Sequence, residues 1–365
     1  MDKPLQGLKV VELARILAGP WAGQLLADLG AEVIKVERPG TGDDTRSWGP
    51  PFAADGSAAY FHSCNRGKTS VAIDLECAAG QAQVRDLVRD ADVLIENFKV
   101  GGLAKYGLDF ASLSAINPRL IYCSITGFGQ DGPYAARPGY DFIIQGMGGM
   151  MDLTGAPDGE PMRAGVAIAD VFTGLYASNA ILAALRGREA SGAGCHIDMA
   201  LLDVQVAVLA NQAMNYLIGG EVPQRLGNAH PNIAPYQTFA VADGHVIVAV
   251  GNDAQFERLL ALLGLAAEPR FATNAGRVRN RAALDALLSP VIALRRRDDL
   301  LAALAAAGIP AGPINDLAQV FADPQVIARG LRVDPDGTPG VASPIVIDGR
   351  RQVAETGSPP RKIPQ

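Results

Sequence analysis

The sequence predicts an α/β protein with an open, mostly parallel sheet in a large first domain and a smaller α/β domain after it. Three observations carry this. Short β-rich runs alternate with helix-period segments through the first third of the 365 residues. A stretch rich in Gly, Pro, Asn and Gln, residues 219–235, interrupts the chain. Beyond it, an alternating pair of strands leads into a run of helical segments.

Taken in order, residues 8–13 (LKVVEL) and 32–37 (EVIKVE) read as strands. Residues 20–29 between them form a helix, with Leu25, Leu26 and Leu29 on one face, Pro20 in the first turn and Gly30 as the stop. Residues 69–75 and 92–98 flank a second helix at 83–91 through Val84, Leu87 and Val88. A short helix at 108–116 and a strand at 120–125 follow. Repeated β-α alternation of this kind gives a Rossmann-like sheet covered on both faces. From Phe142 the texture changes to Gly146, Gly148 and Gly149 among methionines. Helices are then expected over 170–186 and, as one long apolar helix, over 199–218. Residues 236–250 read as a hairpin turning at Asp243-Gly244. The expected organisation is a large domain at 1–200, a linking helical region at 201–225, a small α/β domain at 226–330, and a segment at 331–365 returning to the large domain.

The net charge of −6, with 48% apolar and 19% charged residues, argues against a nucleic-acid partner and against wholesale disorder. Four cysteines without CxxC and four histidines without metal-ligand spacing argue against a disulfide framework and a metal site. No apolar h-region and no long apolar run are present, which predicts a cytoplasmic protein with no membrane partner.

Gly127, Gly129 and Gly132 spell GxGxxG after a strand, but Pro133 and Pro138 follow, so no helix opens where a pyrophosphate would need one. Arg38, Arg46, Arg66, Lys68, Lys99 and Lys105 fall at strand ends and loops, where they form either a phosphate-binding set or an ordinary solvated surface. Asp170 follows small residues at a helix start, suiting it to N-capping or to nucleophilic attack on an acyl carbon. Asp141 and His230 are loop residues with either a turn-forming or a ligand-facing role.

Several segments resemble the class III coenzyme A transferases: Leu17-Ala18-Gly19-Pro20, Lys35-Val36-Glu37-Arg38-Pro39, Gly42-Asp43-Asp44-Thr45-Arg46, Asn65-Arg66-Gly67-Lys68 and Glu96-Asn97-Phe98. So do Thr126-Gly127-Phe128-Gly129, Pro138-Gly139-Tyr140-Asp141, the Asp170 segment and residues 308–315. They are collinear over residues 4–326. Residues 213–218, 226–236 and 251–256 look most like the succinyl-CoA-dependent glutarate or hydroxymethylglutarate branch.

The resemblance implies that Asp170 forms an acyl anhydride and then an aspartyl-CoA thioester, with Tyr140 beside it. It also implies that Arg38, Asn97, Phe98 and Lys105 hold CoA, with Lys68 as a further phosphate contact. CoA thioester is then a substrate, no cofactor is permanently bound, and the chain pairs as an interlocked homodimer. Arg15, Arg46 and His230 are candidates for gripping the acceptor's distal carboxylate. The related acyl-CoA racemases carry His where Tyr140 stands, and racemisation needs a base and an acid about the α-carbon. Two features depart from the family pattern. Residues 227–232 carry one glycine where some members carry a run, and the usual C-terminal Leu-Gly-x-His segment is missing.

Overall fold

The structure, a computed structural model, describes residues 3–361. Contacts divide the chain into two units. The first holds the residues up to Met150, Arg163–Leu209, and those from Pro324 on; the second holds Met151–Met162 and Ala210–Asp323. One divide thus falls between Leu209 and Ala210, inside the segment read as a linker.

The first unit runs β1 (Lys9–Glu12), α1 (Ala18–Asp28), β2 (Glu32–Glu37), α2 (Ala59–His62), β3 (Lys68–Ala72), α3 (Ala78–Arg89), β4 (Val93–Glu96), α4 (Phe110–Ile116), β5 (Ile121–Thr126) and α5 (Asp141–Met147). After α6 (Met150–Leu153) at the border come α7 (Ile168–Ser191), β6 (Cys195–Ala200) and α8 (Leu201–Ala207). The six strands form one sheet in the order β3-β2-β1-β4-β5-β6, with every neighbouring pair parallel. Alternation along the strands sends Val10 and Ile95 into a core layer with Ala22 of α1 and Ala177 and Ile181 of α7. Val11 and Leu94 face the other way, into a layer with Val84 and Val88 of α3 and Leu113 of α4. A sheet buried on both faces needs β-branched and aliphatic residues at consecutive positions, which is why these strands read as continuous apolar runs.

Two expectations are corrected here. The single helix expected over 199–218 is a strand followed by two helices. Residues 195–200 join β5 as β6, and the helical part breaks where Ala210 takes a left-handed φ of 47° before α9 (Ala210–Gly219). The alternation of Cys195-His196-Ile197-Asp198-Met199-Ala200 is masked by mixed polarity, because only Ala200 of this edge strand is buried. The helix expected from Asp170 starts two residues earlier and has Ala167 as its cap, so Asp170 stands inside the first turn and does not cap it. Among the described residues α7 is the one helix long and apolar enough to cross a membrane by length and composition. Its small residues Ala169 and Ala177 pack into the α1 layer.

The second unit adds β7 (Tyr236–Val241), β8 (Gly244–Ala249), α10 (Asp253–Leu263), α11 (Asn274–Arg279), α12 (Arg281–Ala293), α13 (Arg297–Ala306), β9 (Ala311–Pro313) and α14 (Leu317–Ala322). The expected hairpin forms, with its turn at Ala242-Asp243, one residue earlier than Asp243-Gly244, and β9 extends it into an antiparallel sheet. Val246, Val248, Phe256, Leu259, Leu288 and Leu304 build its own core. Inside that core, Arg277 is fully buried and bonded to the Ala234 and Phe271 carbonyls and to Asp253.

After α15 (Pro324–Ala328), the first unit's last segment holds two small ladders. It reaches back to the sheet. The Ala354 amide donates to Asp28 (2.8 Å), the Gly67 amide to the Thr356 carbonyl (3.1 Å), and Arg46 to the Pro359 carbonyl (3.1 Å).

Candidate active site

In this strand order the chain winds away in opposite senses on either side of β1 and β4. Ligands of such sheets bind at the carboxyl ends of those strands. The two loops that leave there are tied together. The Arg15 amide donates to Asn97 Oδ1 (2.9 Å), and Asn97 Nδ2 donates to the Arg15 carbonyl (2.7 Å). Next to Arg15, Ile16 has φ of 73°, a left-handed backbone that β-branched residues avoid. Strain of this kind costs on the order of 1–3 kcal/mol and persists only where the surroundings impose it. Here Asp43 accepts the Ile16 amide (3.4 Å), and the Cys64 thiol donates to the Ile16 carbonyl (3.5 Å).

The strained turn delivers the start of α1 into a cleft of about 370 Å³ lined by Ile16, Leu17 and Ala18. No side chain caps that helix, so its first N–H groups are left for a ligand and its dipole favours an anion. Asp170 lines the same cleft, with Asn97, Phe98, Lys99, Lys105, Arg137 and Tyr140.

Asp170 has no hydrogen-bond partner among the described residues. Burial, and then the charge of Asp141, push its carboxyl up to about 7. Asp141 is placed to do this. Its Oδ1 accepts the Ala169 amide (2.9 Å) at the start of α7, and its Oδ2 accepts from Gln145 (2.8 Å). Gln145 in turn accepts the Ala164 amide (2.9 Å). Tyr60 feels the same carboxylates. Burial first, then the Asp170 charge, raise its phenol to about 12 and keep it protonated.

A second groove of about 450 Å³ shares Arg15, Phe98 and Tyr106 with the cleft and adds Arg38. Asp44 ties the two arginines, bonding Arg15 at 2.8 Å and also pairing with Arg38. Lys105 is exposed and lies over the Tyr106 ring (4.5 Å).

Tyr140, Arg38, Asn97, Phe98, Lys105, Arg15 and Asp170 are thus gathered around connected hollows. Three candidates are not. Lys68 is wholly buried and spends its ammonium on Glu12 (2.8 Å), the Pro20 carbonyl (2.8 Å) and Asn65 (2.9 Å). With all three donors engaged it has none for a phosphate. Arg46 grips Glu37 at 2.8 and 2.7 Å, bonds Ser57 and the Pro359 carbonyl, and stacks 3.6 Å from the centre of the Phe61 ring, so four of its five N–H donors are engaged on a side chain that is buried and not aimed at the cleft. His230 belongs to the second unit, where its Nδ1 accepts the Asn232 amide (3.1 Å) and its ring lies against Tyr236.

Sequence reasoning missed Arg137, Tyr60 and Ile16. Arg137, over the Tyr134 ring at 4.0 Å, directly precedes the Pro138-Gly139-Tyr140 segment, and that adjacency was the available signal. Ile16 carried none, since its residue type argues against its backbone. The false GxGxxG also finds its reason: a Cβ on Gly127 would sit 2.5 Å from the Gly139 Cα, so the glycine serves a close approach of two cleft-lining loops. Among the described residues no three His, Cys, Asp or Glu side chains gather as a metal site.

Comparison with known proteins agrees with this geometry. Residues 5–361 match the family described as CoA-transferase family III. The succinate–glutarate CoA-transferase of Agrobacterium fabrum is 60% identical over 357 residues, covering 94% of this chain and 89% of that protein. The succinyl-CoA:glutarate CoA-transferase of Homo sapiens is 43% identical, covering 98% and 83%. Among solved structures, a CAIB/BAIF family protein from Brucella suis superposes with a TM-score of 0.89 at 62% identity, over 98% of this chain and 96% of that one. The chain therefore belongs to CoA-transferase family III, and it is an enzyme of CoA transfer.

Proposed function

We propose that this enzyme moves CoA from succinyl-CoA to a dicarboxylic acid, with glutarate the first acceptor to test, through covalent intermediates on Asp170. The observation that carries the mechanism is an unpaired, largely buried carboxylate facing the uncapped start of α1 across one cleft. The substrates follow the names of the relatives.

Ionised Asp170 attacks the thioester carbonyl. The C–S bond breaks, leaving a succinyl-aspartyl anhydride and CoA thiolate. The thiolate then attacks the Asp170 carbonyl, succinate leaves, and an aspartyl-CoA thioester remains. The acceptor carboxylate attacks that thioester and expels the thiolate, which attacks the new acyl carbonyl and frees Asp170. No net proton is consumed. Each step splits a difficult exchange into an ordinary acyl transfer. The α1 amides are suited to the developing oxyanions and the thiolate.

Along the hollows, the nucleotide end of CoA would lie by Arg38 and Arg15, with the thioester reaching Asp170 past Phe98 and Lys105. Exposed Met214, Tyr216, Leu217 and Ile218 on α9 support the homodimer reading, which mass measurement in solution checks.

Asp170→Ala should reduce succinyl-CoA/glutarate exchange by about 10³-fold or more, as loss of a covalent nucleophile does. Hydroxylamine with succinyl-CoA should mark Asp170 in the wild type only. Full turnover by the variant would overturn the mechanism. No observation favours the racemase reading; it would require solvent deuterium at the α-carbon of a 2-methylacyl-CoA.

A further inference from the structure

Glu96 is the last residue of β4 and stands in register with Ser124 of β5. Leu94 and Tyr122, two residues earlier on each strand, belong to the apolar layer against α3 and α4. Where that layer would continue, the chain places a carboxylic acid only 6% exposed. Its surroundings are polar. Ser124 Oγ bonds His196 Nε2 on β6 (2.9 Å), and the His196 ring stacks on Phe110 (5.1 Å). Glu96, Ser124 and His196 line a chamber of about 320 Å³ with Lys99 and Asp109.

The chain leaves the sheet directly after Glu96, so the Phe98 amide loses its ladder partner. Glu96 Oε2 takes that amide at 2.7 Å. A tight turn follows, in which the Gly102 amide donates to the Lys99 carbonyl (2.7 Å). A Cβ on Gly102 would come within 2.9 Å of that carbonyl. The turn has two sides. One faces the Glu96 chamber; the other supplies Asn97, Phe98, Lys99, Val100 and Gly102 to the Asp170 cleft.

We propose that Glu96 is a positioning residue for the acyl-CoA half of the reaction, its carboxyl holding the Phe98 amide from behind so that the Asn97–Gly102 turn keeps the shape of the CoA wall. This rests on the reading of the cleft as the CoA site. Burial, outweighing the pull of the Ser124 hydroxyl and the Phe98 amide, brings its carboxyl up to about 7. The acceptor role therefore belongs to an oxygen, not to a permanent charge, and an amide oxygen at the same reach can fill it.

The test is steady-state kinetics with succinyl-CoA and glutarate on Glu96→Asp and Glu96→Gln, beside calorimetric titration of free CoA into each protein. Glu96→Asp keeps the charge but is one methylene too short. It should raise KM for succinyl-CoA and Kd for CoA about tenfold, the worth of one good hydrogen bond, with kcat and the glutarate KM within about twofold. Glu96→Gln should stay within about threefold of wild type. Three results would overturn the inference: Glu96→Asp matching wild type, Glu96→Gln failing as badly as Glu96→Asp, or the loss falling on kcat or on the glutarate KM. If wild type itself bound no CoA, the reading of the cleft would fall with it; unchanged CoA binding in Glu96→Asp would remove this inference alone.

Discussion

Asp170 and Asp141 are two carboxylates whose surroundings give them different tasks. Asp141 spends its oxygens on Ala169 and Gln145, while Asp170 keeps both free and carries a carboxyl raised to about 7. In the proposed mechanism only ionised Asp170 attacks a thioester. Its pKa is raised, so the reactive fraction grows as pH climbs through about 7, and kcat/KM for the acyl-CoA should rise there and level off above. Asp141→Asn removes the like charge and keeps an oxygen for the Ala169 amide. The pH limb should then move down, yet remain above the ordinary aspartate range because burial is the larger cause. A pH–rate profile with an unmoved limb would show that Asp141 does not tune its neighbour. At this scale the sequence was legible for the place of Asp170, in the first turn of a helix beside the cleft, because its motif is local. It was not legible for Lys68 or Arg46, because a cation at a strand end looks the same whether it meets solvent or a buried glutamate.

Glu12 at the end of β1, Lys35 within β2 and Lys68 at the start of β3 hold an ionic network rather than a phosphate site. Glu12 pairs with Lys35 (3.0 Å) and Lys68 (2.8 Å), and Lys35 also reaches Asp43 (2.9 Å), all with fully buried side chains. Burial lowers both lysines. Glu12 and Asp43 together outweigh it at Lys35 and raise that group, whereas Lys68 faces the like charge of Lys35 and stays lowered. Lys35 also bonds the Ala14 carbonyl, so the network braces the loop that carries Ile16. Removing one partner of a buried pair leaves an uncompensated charge and costs about 3–5 kcal/mol. Lys68→Met should lose about that much in urea unfolding, and a loss under 1 kcal/mol would refute the network's role. Element identity was legible wherever burial on both faces wrote short β-rich apolar runs, as in β1, β4 and β5. It failed at β6, an edge strand whose exposed positions follow no period, and at the α8–α9 break, where a left-handed Ala210 leaves no compositional mark.

Over the whole molecule the net charge of −6 coexists with Arg15, Arg38, Lys99, Lys105 and Arg137 around two connected hollows, so the average says little about the ligand. The Pro- and Gly-rich last segment is read in sequence only as returning to the large domain. The structure gives it buried partners: Arg66 bonds the Val341 carbonyl (2.8 Å), and Asp28, already paired with Arg66, accepts the Ala354 amide. Each stranded buried group costs about 1–3 kcal/mol. Deleting residues 341–365 should therefore lower the melting temperature by about 10 °C or more, or leave the protein insoluble. A variant melting like the full chain would show the segment to be ornamental.

That last contact also sets a clock. Asp28 and Ala354 lie 326 residues apart. At about 5–20 residues per second, a ribosome needs roughly 16–65 s to make the stretch between them. Through that interval Asp28 at the end of α1 and Arg66 before β3 emerge still short of their late partners. The second unit, encoded in between, can close its own core first. Slowing synthesis would lengthen the wait of the first unit without changing one contact in the finished protein.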